Sequence, residues 1–291
     1  MRRIVRVAGI ALLLLGIAVL VSLIWIDGIG RAAVESGGEQ AMGVTTTLDD
    51  LDLSLFGGTC GLKGLTVGNP KGFPAPHFLA LEKGEIAVTL GSLLGDTVEV
   101  PRIVLEGIDL NLEKTRDGAN YEVILAHMQR GETTEETGRR FVVGEAVLRS
   151  IRVHVDVAVG GRKLSRVDLE IPEIRVENLS SEDDAGLVLS RLTGTLVKAT
   201  LLAVAKQGPR VIPEAVVNGL GAGLEGMGDV GRLGVRVVGT ITGTVGGKPV
   251  KVVGGVLKEV GGVLGEGAGE VLEGIGGLLG GGKDEEEEKK D

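Results

Sequence analysis

The residues that could perform chemistry in this chain are few and widely separated. Acid–base or nucleophilic catalysis commonly uses a histidine, and the three histidines, His77, His127 and His154, lie far apart in the sequence. The single cysteine, Cys60, excludes an intramolecular disulfide and a multi-cysteine metal site. The sequence has no H-E-x-x-H motif, no G-x-S-x-G nucleophile elbow and no Walker P-loop. We therefore expect no enzyme activity, no cofactor and no bound metal.

The composition is more informative about architecture than about chemistry. Of the 291 residues, 50 are glycine, and 25 of those glycines fall in residues 208–291. Without a G-X-Y repeat this is not collagen, and 43% hydrophobic residues exclude a polar disordered chain. A net charge of −9 argues against a nucleic-acid partner. The glycines must therefore serve turns and close packing.

The first element that would position the chain is a membrane segment. Val7–Ile26 carries no charge over 20 residues, which as a helix spans about 30 Å, the thickness of a bilayer core. Arg2, Arg3 and Arg6 precede it, and Trp25 lies near its far end. The positive-inside rule then places the N-terminus in the cytoplasm and the rest of the chain across the membrane. The alternatives are a cleaved signal peptide and a buried core helix.

Residues 28–186 are predicted to form a β-rich body. A short helix over residues 31–42 is expected to end at Gly43. After it, apolar and polar residues alternate, which is typical of strands with one buried face and one wet face. Such one-sided strands favour hairpins and an antiparallel sheet. The predicted strands of the first β block lie in residues 44–56, 62–67, 79–90, 97–100 and 108–113.

The most regular alternation lies in a second β block. Five apolar residues share one face of a strand over residues 151–159: Ile151, Val153, Val155, Val157 and Val159. Gly160-Gly161 predicts a hairpin, and a return strand follows over residues 167–176. Pro101 and Pro172 each indicate a sheet edge or a bulge. The apolar face of the strand is either an ordinary core or a surface that faces lipid.

Helices are expected around and after the second β block. Asn120 suits the N-cap of a helix over residues 121–130, and residues 131–140 form a polar loop. Residues 187–282 are predicted to be helical and glycine-rich, with helices over 187–208 and from 214 to about 224. Three structures remain possible for the tail: a packed or surface amphipathic helix, a disordered tail, or a second spanning segment. Residues 283–291 are a solvated charge run.

One short motif stands out, at residues 61–73. Asn69-Pro70-Lys71-Gly72 suits a type I turn, with asparagine first, proline second and glycine fourth. Phe73 is an apolar anchor after the turn. From these residues alone we interpret Asn69, Pro70, Gly72 and Phe73 as a structural turn.

This turn and its flanking strands, together with the stretch over residues 86–113, the second β block and the glycine-rich end, resemble the AsmA-like family of bacterial envelope proteins. The resemblance implies an inner-membrane anchor at residues 1–27 and a periplasmic body at residues 28–186. Longer members of the family have a curved, taco-like sheet with an apolar groove. They are thought to help phospholipid traffic or to maintain the envelope.

The expected fold is therefore α+β: an N-terminal transmembrane helix, a one-sided, mostly antiparallel curved sheet, and C-terminal helices. Two functions are compatible with it. In the first, the apolar face of the sheet binds phospholipid or helps to move it during outer-membrane maintenance. In the second, the protein is a scaffold that contacts an envelope protein, or another copy of itself, through sheet edges or its glycine-rich helix.

Overall fold

The computed structural model describes most of the body of the protein. The described residues are 28–54, 57–131, 140–159, 162–177, 179, 187–207, 212–225, 227, 233–245 and 247–253. The predicted anchor Val7–Ile26, the Gly160-Gly161 turn and the tail beyond residue 253 lie outside them. Within the described part, no helix has both the length and the apolar character needed to cross a membrane.

One sheet of nine strands forms the body, with helices against one face. Its strands are β1 Thr46–Ser54, β2 Thr59–Gly68, β3 His77–Ala87, β4 Thr97–Lys114, β5 Arg140–Val159, β6 Arg162–Glu177, β7 Gly234–Val238, β8 Thr240–Val245 and β9 Lys248–Val253. The helices are α1 at residues 28–42, α2 Asn120–Gly131, α3 Leu189–Gln207 and α4 Glu214–Glu225, with a 3-10 segment at Leu90–Leu94. The fold is α+β, as predicted.

The strands follow one another in the order β1-β2-β3-β4-β5-β6-β8-β9, and β7 also pairs with β6. Among the described strands, β4 and β5 pair in parallel and the other pairs are antiparallel. The parallel pair requires a crossover, and α2 lies in the chain between its two strands. The mostly antiparallel curved sheet expected from the sequence is therefore present.

The two prolines and the C-terminal segment show how far the expectations hold. Pro101 lies in the start of β4, which pairs with β5 but not with β3, so it marks a local edge as expected. Pro172 lies inside the sheet, where the partner of β6 changes from β8 to β7. The segment 187–282 is not helical throughout, because β7, β8 and β9 follow α3 and α4. Val235, Val237 and Ile241 point inward from β7 and β8 and are buried, and pairing with β6 satisfies backbone groups that would otherwise form an open edge.

A line of matched positions crosses the sheet from β1 to the end of β7, and we call it the crease. The pairs on either side align its members: Asp49, Gly64, Glu82, Gly107, Ser150, Pro172 and Gly239. Gly64, Gly107, Ser150 and Gly239 have positive φ angles of 64°, 76°, 53° and 98°. Ser150 is the one residue other than glycine with positive φ among the described residues.

The crease accompanies a change of phase in several of the strands that it crosses. Buried residues step by three across it, as from Leu48 to Leu51 and from Leu148 to Ile151. In β1 and β5, two consecutive side chains therefore face outward at the crease, and a similar step from Val100 to Ile103 lies elsewhere in β4. The same face of each strand stays inward on both sides of it, so the helices cover one continuous apolar surface.

Backbone strain at the crease leads to a prediction. We expect Ser150→Gly to raise the free energy of unfolding by about 0.5–1 kcal/mol, because glycine adopts positive φ without a steric penalty. Gly107→Ala should lower it by about 1–2 kcal/mol, since alanine at a φ of 76° is strained, while the exposed end of Glu82 near the added Cβ can move aside. Urea denaturation of both variants tests this. Equal effects in the same direction would contradict it.

Helix α1 protects the edge strand β1. The carboxylate of Glu35 accepts a hydrogen bond of 2.9 Å from the backbone N–H of Leu48, and Arg31 donates to the carbonyl of Asp49 at 3.1 Å. The bond from Leu48 holds the pKa of Glu35 below its usual value. An unpaired edge is a template for unwanted strand pairing, and here the helix occupies it. The predicted end of α1 at Gly43 is confirmed, with φ of 70°.

Candidate functional site

The first candidate surface is the apolar face of β5. Ile151, Val153 and Val155 are fully buried and Val157 is half-buried, while the side chain of Val159 lies outside the described residues. Their cross-strand neighbours continue the apolar surface into β4 and β6: Ile108, Leu110, Leu112, Val167, Leu169 and Ile171. The structure thus brings together the residues that alternation predicted for one face, and places them in the core.

Helix α3 lies against this apolar layer. It contacts β5, β6, β7 and α4. Its C-terminal half is buried at consecutive positions: Ala199, Thr200, Leu201, Leu202, Ala203, Val204 and Ala205. Consecutive positions lie on different sides of a helix, so α3 is enclosed on all sides rather than lying on the surface.

Two threonine hydroxyls of α3 are satisfied within the helix itself. Thr193 and Thr200 donate their hydroxyl hydrogens to the carbonyls of Leu189 and Leu196, each at 2.9 Å. This satisfies the hydroxyls within the helix, so that they need no water. Gly194 allows α2 to approach, because an added Cβ there would lie 3.3 Å from Cε of Met128. Helix α3 is therefore built as a core element.

The second candidate site is the turn after β2, which differs slightly from the prediction. The N–H of Phe73 donates to the carbonyl of Pro70 at 3.4 Å, so the turn begins at Pro70 rather than Asn69. Gly72 has a φ of 97° at the third position of this turn, as a type II turn requires. Pro70 is buried and Phe73 is half-buried.

Asn69 instead connects the turn to the core. Its amide donates to Oε2 of Glu113 at 2.6 Å and to the carbonyl of Ala75 at 3.1 Å. The N–H of Ala75 lies 3.2 Å from both carboxylate oxygens of Glu113, which is 6% exposed. A buried carboxylate is stable when hydrogen-bond donors surround it, and this one joins the two ends of the turn.

Asn120 completes the same network and starts α2. Its amide donates to Oδ1 of Asn69 at 3.0 Å and to the carbonyl of Asn111 at 2.8 Å. Its Oδ1 accepts from the N–H groups of Glu113 and Tyr121, at 2.9 and 2.8 Å. These four bonds join the turn, the end of β4 and the start of α2. The turn motif is therefore part of a buried structural junction.

We expect Glu113→Gln to lower the free energy of unfolding by about 1–3 kcal/mol. Glutamine loses the negative charge that strengthens these bonds, and its NH₂ group takes the place of one oxygen, where it faces the N–H of Ala75 as a donor against a donor. Thermal denaturation measures the loss. Glu106→Gln, on the exposed face of the same strand, is the matched control and should change stability little. A control that loses as much as Glu113→Gln would contradict the role given to the junction.

The outer face of the sheet carries a network of ionic side chains. The ring of His154 lies between two aspartates, with Nδ1 at 2.6 Å from Oδ1 of Asp168 and Nε2 at 3.4 Å from Oδ2 of Asp109. Nε2 of His77 lies 3.1 Å from Asp109, and Arg152 contacts the same carboxylate at 3.5 Å. Two of the three histidines that the sequence separates are thus brought to one aspartate.

The network favours charged aspartates. Burial raises the pKa of Asp109, but the bond from His77 and nearby positive groups outweigh it and hold this pKa below its usual value. The pKa of Asp168 is lowered in the same way: its bonds from His154 and Arg166 exceed the cost of burial. Among the described residues, no group of three or more histidine, cysteine, aspartate or glutamate side chains is arranged to hold a metal ion. The network ties β3, β4, β5 and β6 together across their wet face.

Comparison with known proteins identifies the family of the first part of the chain. No curated protein matches this sequence. The model of the AsmA family matches residues 1–180, which include α1, the turn, the Glu113 junction and strands β1 to β6. Helices α3 and α4 and strands β7 to β9 lie beyond the match. The chain therefore belongs to the AsmA family, and this membership indicates a role in maintaining the bacterial envelope or outer membrane.

Proposed function

We propose that this protein is a non-enzymatic component of the bacterial envelope, anchored in the inner membrane by Val7–Ile26, with its body in the periplasm. The uncharged run of 20 residues and the arginines before it support the anchor. The lack of a recognisable catalytic motif in the sequence supports a non-enzymatic role. Family membership supports the envelope as the place of action.

Within that role, we favour a structural function over carriage of lipid in an open groove. The observation that carries this choice is the enclosure of α3 against the apolar face of the sheet. An acyl chain would need apolar surface of that kind, and in the described residues the chain's own helix already covers it. Across the part of the chain that the structure describes, the surfaces left for contacts are the polar outer face and the edge of the sheet at β9, because α1 occupies the edge at β1. Both suit a protein partner or a second copy of the chain.

Phospholipid binding is the second candidate function. The face that would receive an acyl chain is lined by aliphatic side chains such as Val153 and Leu169, which suit hydrocarbon. Binding there requires α3 to move away from β5 and β6. The free-energy cost is large, because each leucine returned to water costs about 1.5–3 kcal/mol. A structural role has no such requirement.

A genetic test of the proposed function compares two forms of the chain. Cells that lack the protein should take up a large, normally excluded dye through a weakened outer membrane. The full chain should restore exclusion, whereas a chain with Val7–Ile26 replaced by a cleavable signal sequence should not. Full exclusion by the unanchored chain would refute the requirement for an anchor. Unchanged permeability in cells without the protein would refute the envelope role.

A further inference from the structure

The end of the sheet nearest the predicted anchor carries exposed apolar side chains. Leu94 is 95% exposed, Ile29 is 66% exposed and Leu90 is 43% exposed. Leu90 and Leu94 are the first and last residues of the 3-10 segment between β3 and β4, and Ile29 is in the first turn of α1. Large apolar side chains with this much exposure usually indicate a contact surface when they lie together.

Contacts at Gly30 and Gly58 show that these residues lie at one end of the sheet. An added Cβ on Gly30 would lie 2.5 Å from Cδ2 of Leu51 and 3.5 Å from Cδ1 of Leu53, so α1 begins beside the end of β1. At the neighbouring turn, the N–H of Val88 donates to the carbonyl of Gly58 at 2.7 Å, and Leu90 packs over Gly58. The start of α1, the turn from β1 to β2 and the 3-10 segment are therefore adjacent.

The position of the proposed anchor in the sequence indicates what this end of the sheet faces. The uncharged run ends at Ile26, two residues before Gly28, and two extended residues reach at most about 7 Å. If that run spans the bilayer, the first turn of α1 lies at the membrane surface. The opposite end of the sheet, with Lys71 in its turn, is about 30 Å away along the ten residues of β2.

We infer that the 3-10 segment Leu90–Leu94 is a membrane-docking element that inserts its two terminal leucines into the same bilayer that holds the anchor. The inference rests on the proposed anchor. The contact is with lipid hydrocarbon because Gly28, at this end of the sheet, follows an apolar run of membrane length by two residues. Asp96 and Glu99 lie nearby and are exposed, so attraction to anionic headgroups does not drive the contact. Docking fixes the body upright on the membrane.

The test uses the full chain in phosphatidylcholine vesicles. Cys60→Ser removes the native thiol, and Gly91→Cys introduces a fluorescent label between the two leucines, at a position where an added Cβ meets no atom within 4 Å. Lys71→Cys places the same label at the far end as a control. Lipids with a nitroxide near the headgroup should quench the label at position 91 several-fold more strongly than the label at position 71. Leu90→Ser with Leu94→Ser should remove that difference.

An alkaline wash of the vesicles separates the two claims. Chains that stay in the membrane but show equal quenching at both positions would overturn docking and leave the anchor intact. Chains released by the wash would refute the anchor and the docking geometry with it. A label at position 91 that is shielded from water but not quenched by lipid would indicate contact with a second copy, and would also overturn docking. A small amount of phosphatidylglycerol should leave the quenching unchanged.

Discussion

Leu201→Ala should lower the free energy of unfolding by about 2–5 kcal/mol, the range for removing a fully buried leucine from a packed core. Leu201 is 0% exposed near the middle of α3, with buried residues on both sides in sequence. The surrounding sheet and helices cannot collapse fully into the space that it leaves. Urea denaturation followed by circular dichroism measures the change.

Leu94→Ala is the matched control for this substitution. The same side-chain atoms are removed, but Leu94 is 95% exposed and outside the core, so its loss should change stability by less than about 0.5 kcal/mol. A small effect at Leu201 would mean that α3 is loosely held over the sheet. In that case, α3 could move aside for a lipid at little free-energy cost, and this would support phospholipid binding.

Val153→Lys should prevent stable folding of the body. Val153 is 0% exposed, and its neighbours in register are Leu110 of β4 and Leu169 of β6. An unpaired ammonium in this layer would cost several kcal/mol, a large part of the stability of a typical domain. We expect little protease-resistant body in the membrane fraction after expression. Limited proteolysis of membrane fractions measures it.

The matched control lies on the same strand. Val142 is 38% exposed and aligns with Glu99 of β4, so Val142→Lys places a charge in water beside a carboxylate. This variant should fold as the unmodified chain does. If Val153→Lys also folded normally and lost only lipid binding, the apolar face would be an exposed ligand surface. That outcome would contradict the packing described for β5.

Much of this architecture could be predicted because alternation is a direct consequence of strand geometry. The residues from Ile151 to Val157 alternate without a break, and they share one face in β5 as expected. The expected helices at α2 and α3 also form: α2 begins at Asn120, whose Oδ1 accepts from the N–H of Tyr121, and residues 187–207 include few that break a helix. What alternation could not decide was whether lipid or protein covers that face, since both present hydrocarbon.

Other features needed long-range information. Asn69 and Asn120 are separated by 51 positions, and Asn69 and Glu113 by 44, so no local pattern shows that they meet in a buried junction. The same is true of His77 and Asp109 on the outer face. Strands β7 to β9 were missed because their glycines weaken the alternation, although β6 provides the backbone partners that fix them.

The crease did leave a trace in the sequence. In β1 and β3, two consecutive positions face outward at the crossing, Asp49-Asp50 and Glu82-Lys83, where alternation alone would place one residue inward. An isolated pair of this kind resembles the end of a strand. Only the alignment of all the strands shows that these breaks lie in one line and that the strands continue through them.

The most direct test of this account places a photo-crosslinking amino acid at position 153 of the full chain in native membranes. Because Val153 is fully buried within a core that the chain's own helices cover, irradiation should give crosslinks within the protein, detected as linked peptides by mass spectrometry. A crosslinker at position 142, exposed on the same strand, reports contacts on the outer face for comparison. Crosslinks from position 153 to α2, α3 or α4 would support an apolar face closed by the protein itself. A phospholipid adduct at position 153 would contradict it.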